Sequence, residues 1–546
     1  MESESAKAII SRVITYETAK NLALSLVALF FIRGVVVVIY RLYFHPLSKY
    51  PGPFLAKISD LYGAYHNVLG RLHTETEQGH RVYGTIYRQG PNKLVSNSGS
   101  ALHTIYHSKD VQKSQGYVTM IPAPGAYNIF TAVDKAMHRH KRKVISQGFS
   151  DQCVRDFEPT ILSHVDLFIK RLASTGDSRN SGWSAPYNMT DCCRHLGYDI
   201  MGAFGFGQTF HLQTAETNRF LIDAVTATSH KAGVYVQYPA LQKLRLETLF
   251  YRRGLEMREK YLKLMSGLVR SRLAAGKSSR NDLFSFIVDA KDPDTGVGFS
   301  EDELWAESRF LLIAGADTSS TALTSLFFYL AAYPECYRKL AEEVRSTFAV
   351  PSEIRSGPVL SSCVYLRACL DEAMRMSPPI SGTLWREVSG EAIVIDDEVV
   401  PKGVDVGVSP YALHHNEDMF PDSFTFNPDR WIVSDDNNSR DAVERARHAF
   451  SVFSLGSRAC AGRNMAYTEL SDSVARTVWY LDMRSADESL DALGGGYFGA
   501  RYGKHRAKEF QLEEHLTCSH DGPWLRFRVR AGAEEELEKL LGEKQS

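Results

Sequence analysis

The residues best suited to chemistry lie in one short loop, whose sequence is Phe453-Ser-Leu-Gly-Ser-Arg-Ala-Cys-Ala-Gly462. Arg458 stands two residues before Cys460, and a glycine lies on each side of the pair. A cysteine that ligates iron must be deprotonated, held in a tight loop whose backbone N–H groups point at the sulfur, and covered by an apolar wall. Gly462 and Phe453 suit the last two requirements. A buried free cysteine is the commoner alternative, and the loop alone leaves it open.

A long helix is sharply delimited in the sequence. Ser300, followed three residues later by Glu303, forms a capping-box pattern, and Pro334 ends the helix at about Tyr333. At 1.5 Å per residue, such a helix is roughly 50 Å long. The sequence therefore predicts one long internal helix over these residues.

The middle of this helix contains residues that are unusual in an apolar core. Gly315, Asp317 and Thr318 lie between the apolar runs Phe310–Ile313 and Ala322–Leu330. Gly315 lowers the helix propensity, and Thr318 can hydrogen-bond the carbonyl four residues back, which loosens the helix there. A merely kinked core helix would explain the same pattern.

The cysteine loop resembles the haem-binding signature FxxGxRxCxG of the cytochrome P450 family, and all five fixed positions match. Further motifs match in the family's order along the chain. Ala314–Ser319 resembles the family's [AG]Gx[DE]T[TS] motif, and Glu372 with Arg375 matches its ExxR motif. The resemblance extends over nearly everything from Tyr50 to Arg530.

This resemblance implies that Cys460 is the axial thiolate ligand of the iron of haem b. Reduction of dioxygen to water and an inserted oxygen atom needs protons delivered at one place and none leaked elsewhere. The resemblance assigns this task to the catalytic pair Thr318, which would hold a hydrogen-bonded water, and Asp317, which would relay protons from solvent. Gly315 would leave room for dioxygen.

The resemblance also implies a structural network behind the cysteine loop. Glu372 and Arg375 face one another when three residues apart on a helix, and Arg430 of the PxRW-like segment Phe426–Trp431 would be their third partner. A solvated pair of surface charges is the usual alternative for a bare ExxR pattern.

Haem propionates need cations, and the family's WxxxR motif occurs here as His138-Arg-His-Lys-Arg142, with histidine in place of tryptophan but still offering a ring N–H. Arg386 and Arg458 match the remaining propionate-binding arginines of the family. Besides the axial cysteine, the cofactor-binding residues implied are therefore His138, Arg142, Arg386, Arg458, Phe453, Gly462 and Gly315.

Residues Lys135 to Lys143 form a basic patch on a chain whose net charge is −1. The resemblance places this patch on the proximal face of the haem, where an NADPH-dependent flavin reductase with an acidic surface would dock by electrostatic steering. A solvated helix face is the alternative for any single lysine.

Gly494–Gly499 matches GxGxxG, but no strand precedes it and no helix follows, so it predicts a loop. The electrons must therefore come from a partner.

The apolar run Leu22–Ile39 is close to the roughly 20 residues that cross a bilayer, despite Arg33 within it. It predicts a retained single-pass anchor, and the resemblance to microsomal family members implies the endoplasmic reticulum membrane with a cytosolic catalytic domain. The near-zero net charge indicates no nucleic-acid partner. The predicted organisation is a lumenal stub at 1–20, a transmembrane anchor at 21–44, a proline-rich hinge at 45–59, a monooxygenase domain at 60–530 and a charged tail at 531–546.

The expected fold is α+β and predominantly helical, a single large cytochrome P450-type domain with small β-sheets behind the anchor. The expected function is a monooxygenase that inserts one atom of O2 into a hydrophobic small molecule, similar to filamentous-fungal members that tailor secondary metabolites. The expected substrate contacts are residues 120–134, 310–318 and 380–383 and the loop near Thr517 and Cys518. A P450-fold isomerase or dehydratase and a non-enzymatic haem gas-binding protein are the alternatives.

Overall fold

A computed structural model describes residues 2–121, 125–173, 182–244, 252–275, 283–434, 438–486 and 494–542. Met1 of the predicted stub, 122–124 of the predicted substrate segment and 543–546 of the predicted tail lie outside these residues. The α-helices, numbered α1 to α19 in chain order, are Glu2–Ile39, Phe54–Ile58, Leu61–Val68, Leu72–Tyr83, Gly99–His107, Lys135–Gly148, Asp151–Ala173, Met189–Phe206, Phe220–Gln237, Arg252–Ala275, Leu283–Ile287, Glu301–Ala332, Pro334–Thr347, Pro358–Ser361, Val364–Met376, Pro410–His414, Arg440–Ala449, Arg463–Tyr480 and Glu534–Gly542. The strands, β1 to β12, are Ile86–Gly90, Lys93–Ser96, Val111–Lys113, Tyr187–Asn188, Arg386–Val388, Ala392–Ile395, Glu398–Pro401, Asp405–Val408, Leu481–Ser485, Glu513–Glu514, Cys518–Ser519 and Trp524–Val529. The predicted fold class, helical with small sheets, is confirmed.

The long helix α12 crosses the domain interior and begins as the sequence predicts. The Ser300 side chain accepts from the Glu303 N–H, and the Glu303 side chain accepts from the Ser300 N–H, completing the capping box. Helix α12 packs against α8 at two close approaches. A Cβ on Gly197 of α8 would lie 2.6 Å from Ser320 Oγ, and a Cβ on Gly315 would lie 2.5 Å from Met201 Sδ. Glycine at both positions therefore allows the two helices to come together.

A five-stranded sheet, ordered β1-β2-β8-β5-β3, holds one side of the site. Strands β3 and β5 are antiparallel, and their register places Lys113 opposite Arg386. Strands β6 and β7 form a separate hairpin that turns at Asp396 and Asp397, both of which have positive φ, while β8 joins the large sheet.

The chain ends differ in how they meet the domain. Residues Thr18–Phe44, the end of α1 with the π-turn Tyr40–Phe44, form an unburied helix long and apolar enough to cross a membrane. The stretch that reads as a charged tail contains α19, whose Leu537 and Leu540 are buried in the main core. The GxGxxG segment is a loop, as expected.

Candidate functional site

A backbone hydrogen bond and a glycine hold the cysteine loop in its conformation. The Cys460 N–H donates to the Phe453 carbonyl at 2.8 Å, closing the loop on itself. Gly456 has φ +69°, and a Cβ there would lie 2.1 Å from the Tyr106 carbonyl oxygen. No side chain fits in that space, so this glycine is required for the loop to reach its position.

All eight cysteines lie in the described part of the chain, and Cys460 alone among them is exposed. It is exposed to the interior of a cavity of about 970 Å³, whose wall also includes Thr318. Desolvation raises the pKa of the Cys460 thiol, while the Gly462 N–H and the Arg142 guanidinium lower it in part. A metal ion bound there would displace the thiol proton outright.

Five basic side chains from four segments converge on the same cavity: Lys113 from β3, His138 and Arg142 from α6, Arg386 from β5 and Arg458 from the cysteine loop. Within the described ranges, none of the five forms an ion pair with a carboxylate. Uncompensated cations in a desolvated cavity are costly. The cluster therefore fits a ligand that carries its own carboxylates.

Backbone carbonyls orient two of these cations. Arg458 donates to the carbonyls of Ala132 and Val133 at 2.6 and 2.8 Å, and Arg142 donates to the Ala459 carbonyl at 2.5 Å. Arg386 donates to the carbonyl of the neighbouring Trp385 at 3.1 Å. These bonds satisfy part of each guanidinium and leave the positive charge beside the cavity.

Mutual repulsion and burial lower the pKa values of basic residues in this cluster. Burial, with Arg458 and Lys113 nearby, lowers the pKa of His138 to about 3, so its imidazole is neutral. Burial and the charges of Arg386 and Arg458 hold the pKa of Lys113 well below its ordinary value. Each loss of positive charge would be reversed by an anion in the cavity.

Lys113 is the site residue that the sequence does not reveal. It is buried at the end of a three-residue strand, with Nζ 3.1 Å from the centroid of the Phe130 ring. The nearest sequence signal is the pattern Val111-Gln-Lys113 before Ser114 and Gly116, which is too short to separate a buried lysine from a surface one. The strand pairing with Arg386 is what identifies it.

The predicted network behind the loop is present with full hydrogen bonding. Arg375 donates to both carboxylate oxygens of Glu372, at 2.8 and 3.0 Å, and Arg430 donates to Oε1 at 2.9 Å. Trp431 Nε1 and the Asn427 N–H also donate to this carboxylate. Burial alone would raise the pKa of Glu372, but Arg375 and Arg430 more than offset it and lower that pKa. The carboxylate is therefore ionised.

Thr318 of helix α12 faces the cavity, whereas Asp317 does not. Thr318 lines the cavity, and its hydroxyl donates to the Ala314 carbonyl at 2.5 Å. Asp317 is buried away from the cavity wall, where its Oδ2 accepts a hydrogen bond from Thr517. Burial raises the pKa of Asp317, with Arg194, Thr517 and Tyr198 opposing that rise.

Gly315 lines the cavity, but the space beside its Cα is occupied by the Met201 thioether of α8. Its observed role is to let α12 and α8 approach closely.

The rest of the cavity wall is mainly apolar. Phe130 and Phe310 stack with ring centroids 5.3 Å apart, and Ile121, Ile313 and Val225 lie around them. The predicted substrate segments are represented on this wall by residues 120–121 and 128–130, by 310–318 except 312, 316 and 317, by Ile380 and by Thr517. Its volume is at the upper end of the range for small-molecule sites.

The basic patch expected on α6 is much reduced in the fold. Lys141 is buried between Glu303 and Glu307, and Lys143 pairs with Asp292 and Asp294. Because acids from before and within α12 pair with these two lysines, they add little net positive charge to the surface.

The other three lysines and arginines between 135 and 143 are Lys135, Arg139 and Arg142. Arg142 turns inward to the cysteine loop, whereas Lys135 and Arg139 are exposed. The exposed part of the patch is therefore Lys135 and Arg139.

The cavity combines an exposed cysteine, basic side chains that have no acidic partner among the described residues, and a long helix with a central threonine, and this combination fits a haem-binding oxygenase. The chain belongs to the cytochrome P450 family, whose model, "Cytochrome P450", matches residues 50–489. It is a haem-dependent monooxygenase.

Fungal relatives support this membership over most of the chain. The chain is 38% identical to cytochrome P450 monooxygenase AKT7 of Alternaria alternata, with 90% of this chain and 94% of that protein covered. It is 33% identical to cytochrome P450 monooxygenase apf7 of Gibberella fujikuroi, over 91% and 96%. It is 35% identical to cytochrome P450 monooxygenase poxM of Penicillium oxalicum, over 90% and 92%.

Proposed function

We propose that Cys460 is the axial iron ligand of haem b and that the five basic residues around the cavity hold the haem propionates. The observation that carries this proposal is the pairing of one exposed cysteine with cations that have no acidic partner among the described residues. When bound, haem with a thiolate ligand supplies the activation of dioxygen. Arg386 and Lys113 would hold one carboxylate group from adjacent strands, since their register places them side by side.

The remaining chemistry falls to the protein. Thr318 would hold a hydrogen-bonded water at its hydroxyl on the oxygen side of the cavity, because it lines the cavity from α12, whereas the hydroxyl of the neighbouring lining residue Ser319 donates to Glu469. Its hydrogen bond to the Ala314 carbonyl fixes the side-chain rotamer. Asp317, whose pKa is raised by burial, would supply protons to this region.

The substrate would be a hydrophobic small molecule, because aromatic and aliphatic side chains dominate the wall away from the cation cluster. Tight, water-excluding contact with Phe130 and Phe310 would orient it. A place in fungal secondary metabolism is proposed from the resemblance to such family members. The acid and alcohol of α12 favour oxygen insertion over the isomerase or dehydratase alternative, which needs no proton delivery to oxygen.

We also propose that the protein sits on the endoplasmic reticulum membrane through α1. A second apolar surface supports this placement, since Phe54, Leu55, Leu61, Tyr65 and Val68 of the short helices after the anchor are all more than half exposed. An exposed apolar group of this size is typical of a membrane or protein contact. Val68 also lines the cavity, so the substrate path would open towards lipid.

Electrons would come from NADPH through a reductase that docks beside the cysteine loop. Four exposed cations support this position: Lys109, Lys135, Arg139 and Arg463. Lys135 is bonded to the Lys109 carbonyl at 2.6 Å, and Arg463 lies close enough to influence the Cys460 thiol. Lys135 and Arg139 belong to the sequence-predicted patch, and Lys109 and Arg463 extend it.

The direct test is the spectrum of the reduced, carbon monoxide-bound protein. The wild-type chain should show the Soret band of a thiolate-ligated haem, and Cys460→Ser should lose that band while retaining measurable haem by pyridine haemochrome. Cys336→Ser is the matched control, since that cysteine is half-buried far along the chain from the loop. A wild-type protein that binds haem without the thiolate band would refute the assignment.

A further inference from the structure

We propose that His230 and His515 form a subsite for a carboxylate in the cavity wall made by helix α9 and the loop between β10 and β11. The substrate would then be an apolar molecule that carries an acid group. This inference rests on the proposed function, because it names the chemical class of the substrate for the same cavity.

The two imidazoles touch each other in the cavity wall. Their ring centroids are 3.3 Å apart, and both side chains line the cavity. Two hydrogen bonds tie the loop that carries His515 to the helix that carries His230. The Leu516 N–H donates to the Ser229 carbonyl at 3.3 Å, and the Thr517 N–H donates to Ser229 Oγ at 2.9 Å. The position of the histidine pair is therefore set by the backbones of two elements.

The His515 side chain lacks a partner for its polar atoms. It is only 6% exposed, and neither of its ring nitrogens has a hydrogen-bond partner of good geometry among the described residues. Leaving a buried polar group unpaired is destabilising, so nearly all such groups in proteins are hydrogen-bonded. A ligand in the cavity that accepts a hydrogen bond from this imidazole would remove the cost.

Both imidazoles are uncharged at neutral pH in the empty cavity. Burial and the neighbouring His230 lower the pKa of His515 to about 3, with the Asn67 backbone opposing the fall. Burial also lowers the pKa of His230, opposed by Glu513, which does not line the cavity. A neutral imidazole still offers one N–H donor. A carboxylate beside the pair would accept these hydrogen bonds and raise both pKa values, which strengthens the interaction.

The surrounding charges favour an acid over an alcohol or a ketone. Lys231, which follows His230 on α9, and Arg309 of α12 also line the cavity. Within the described part of the chain, Glu469 is the one acid on this wall, and burial raises its pKa to about 8. The wall therefore presents basic groups and little ionised carboxylate near pH 7, and only an anionic ligand would use that positive potential.

The test compares the binding of radiolabelled octanoic acid and methyl octanoate to the haem-loaded, full-length protein by equilibrium dialysis, with protein-free detergent micelles as the blank. The wild type should bind the acid at least about tenfold more tightly than the ester. His230→Leu and His515→Leu should each weaken binding of the acid about tenfold, because a charge-assisted hydrogen bond is lost. Both variants should bind the ester as the wild type does, which a general disturbance of the cavity would not allow.

Thr228→Val is the matched control, because Thr228 lines the same cavity from α9 but its hydroxyl donates to the Ala224 carbonyl at 2.8 Å. It should bind the acid with wild-type affinity, and His515→Gln, which keeps a side-chain N–H, should retain most of the preference for the acid. Equal binding of acid and ester to the wild type, or wild-type affinity for the acid in both leucine variants, would overturn the proposal. A haem-loaded wild type without the thiolate band under carbon monoxide would instead refute the proposed function, whatever the dialysis shows.

Discussion

The two walls of the cavity are built on different principles. The cysteine wall, which is the loop Phe453–Gly462 with the cations and the Glu372 network around it, is polar, and backbone carbonyls and glycine geometry hold its parts in place. The helix wall, which is the cavity face of α12 with residues 128–130 and 515–517, is mainly apolar and offers few hydroxyls. The difference teaches that one wall suits a fixed cofactor, while the other suits a variable substrate.

The largest expected effect concerns the network behind the cysteine wall. Glu372→Gln should lower the free energy of unfolding by about 3–5 kcal/mol, because Arg375 and Arg430 are left buried without their counter-charge. Chemical denaturation and the yield of haem-loaded protein measure this. Glu335→Gln removes another glutamate paired with an arginine three residues away, but on an exposed helix face, and should change neither quantity. Equal behaviour of the two variants would contradict the buried role.

Removing a cation from the same wall should weaken cofactor retention. Lys113→Met and Arg386→Leu should each release haem about 10 to 100 times faster, since a charge-assisted hydrogen bond to a carboxylate contributes roughly 1.5–3 kcal/mol. Haem transfer to an excess of apomyoglobin measures the rate. Arg139→Leu, an exposed cation on the neighbouring helix, should leave the rate unchanged. A wild-type rate in both cavity variants would show that the cluster serves another ligand.

The helix wall should respond in the opposite manner. Thr318→Ala should leave haem content and the carbon monoxide spectrum intact, yet cut product formed per NADPH by about 10-fold or more, with hydrogen peroxide released instead. Thr318→Ser keeps the hydroxyl and should restore most of the coupling. Loss of haem from Thr318→Ala would contradict the prediction that the helix wall does not hold the cofactor.

Glu469 connects the cysteine wall to the helix wall, and its titration should make the free energy of unfolding depend on pH. It lies on α18 behind the cysteine loop, its Oε2 accepts from Ser319 of α12 at 3.0 Å, and burial raises its pKa from 4.5 to about 8. The folded state therefore binds a proton that the unfolded chain has lost. Its contribution to stability is complete below pH 4.5 and declines as the pH rises towards 8.

Glu469→Gln cannot titrate, so the difference in unfolding free energy between wild type and variant should change across this pH range and level off above it. Thermal or urea unfolding at closely spaced pH values measures the difference. A constant difference from pH 4.5 to 8.5 would show that Glu469 is ionised in the folded protein.

The smallest effect is expected at the surface beside the cysteine wall. Arg139→Glu should raise the KM for the reductase a few-fold at low ionic strength, and the effect should disappear in high salt because exposed charges are screened. Lys141→Gln, although it lies in the same sequence patch, should not behave this way, because Lys141 is buried between two glutamates. Salt-independent loss in Arg139→Glu would indicate a folding defect.

Local patterns predicted what depends on neighbours in the chain. The capping box at Ser300, the loop carrying Cys460 and the facing pair Glu372 and Arg375 formed as expected because each is set by spacing within one turn or one helix. The helix α19 was missed, because its amphipathic pattern covers few residues among many glutamates.

Residues whose role depends on distant partners escaped prediction. No sequence pattern near Lys113 predicts that a strand beginning at Arg386 lies against it. No pattern near Lys141 predicts the two glutamates that bury it. Thr517 was predicted as a substrate contact, but its hydrogen bond to Asp317 was not, because that bond forms only where α12 and the loop after β10 pack together.

The sequence by itself determined the chemical identity of the protein, namely a cysteine loop, an acid–alcohol pair and an apolar N-terminal helix, since residue type and short spacing define all three. Only the tertiary structure decided which cations face the cavity, which remain at the surface and which groups surround Asp317. The physical reason is that charge and proton transfer act over a few ångströms of space, and which residues share that space is set by the packing of many elements at once.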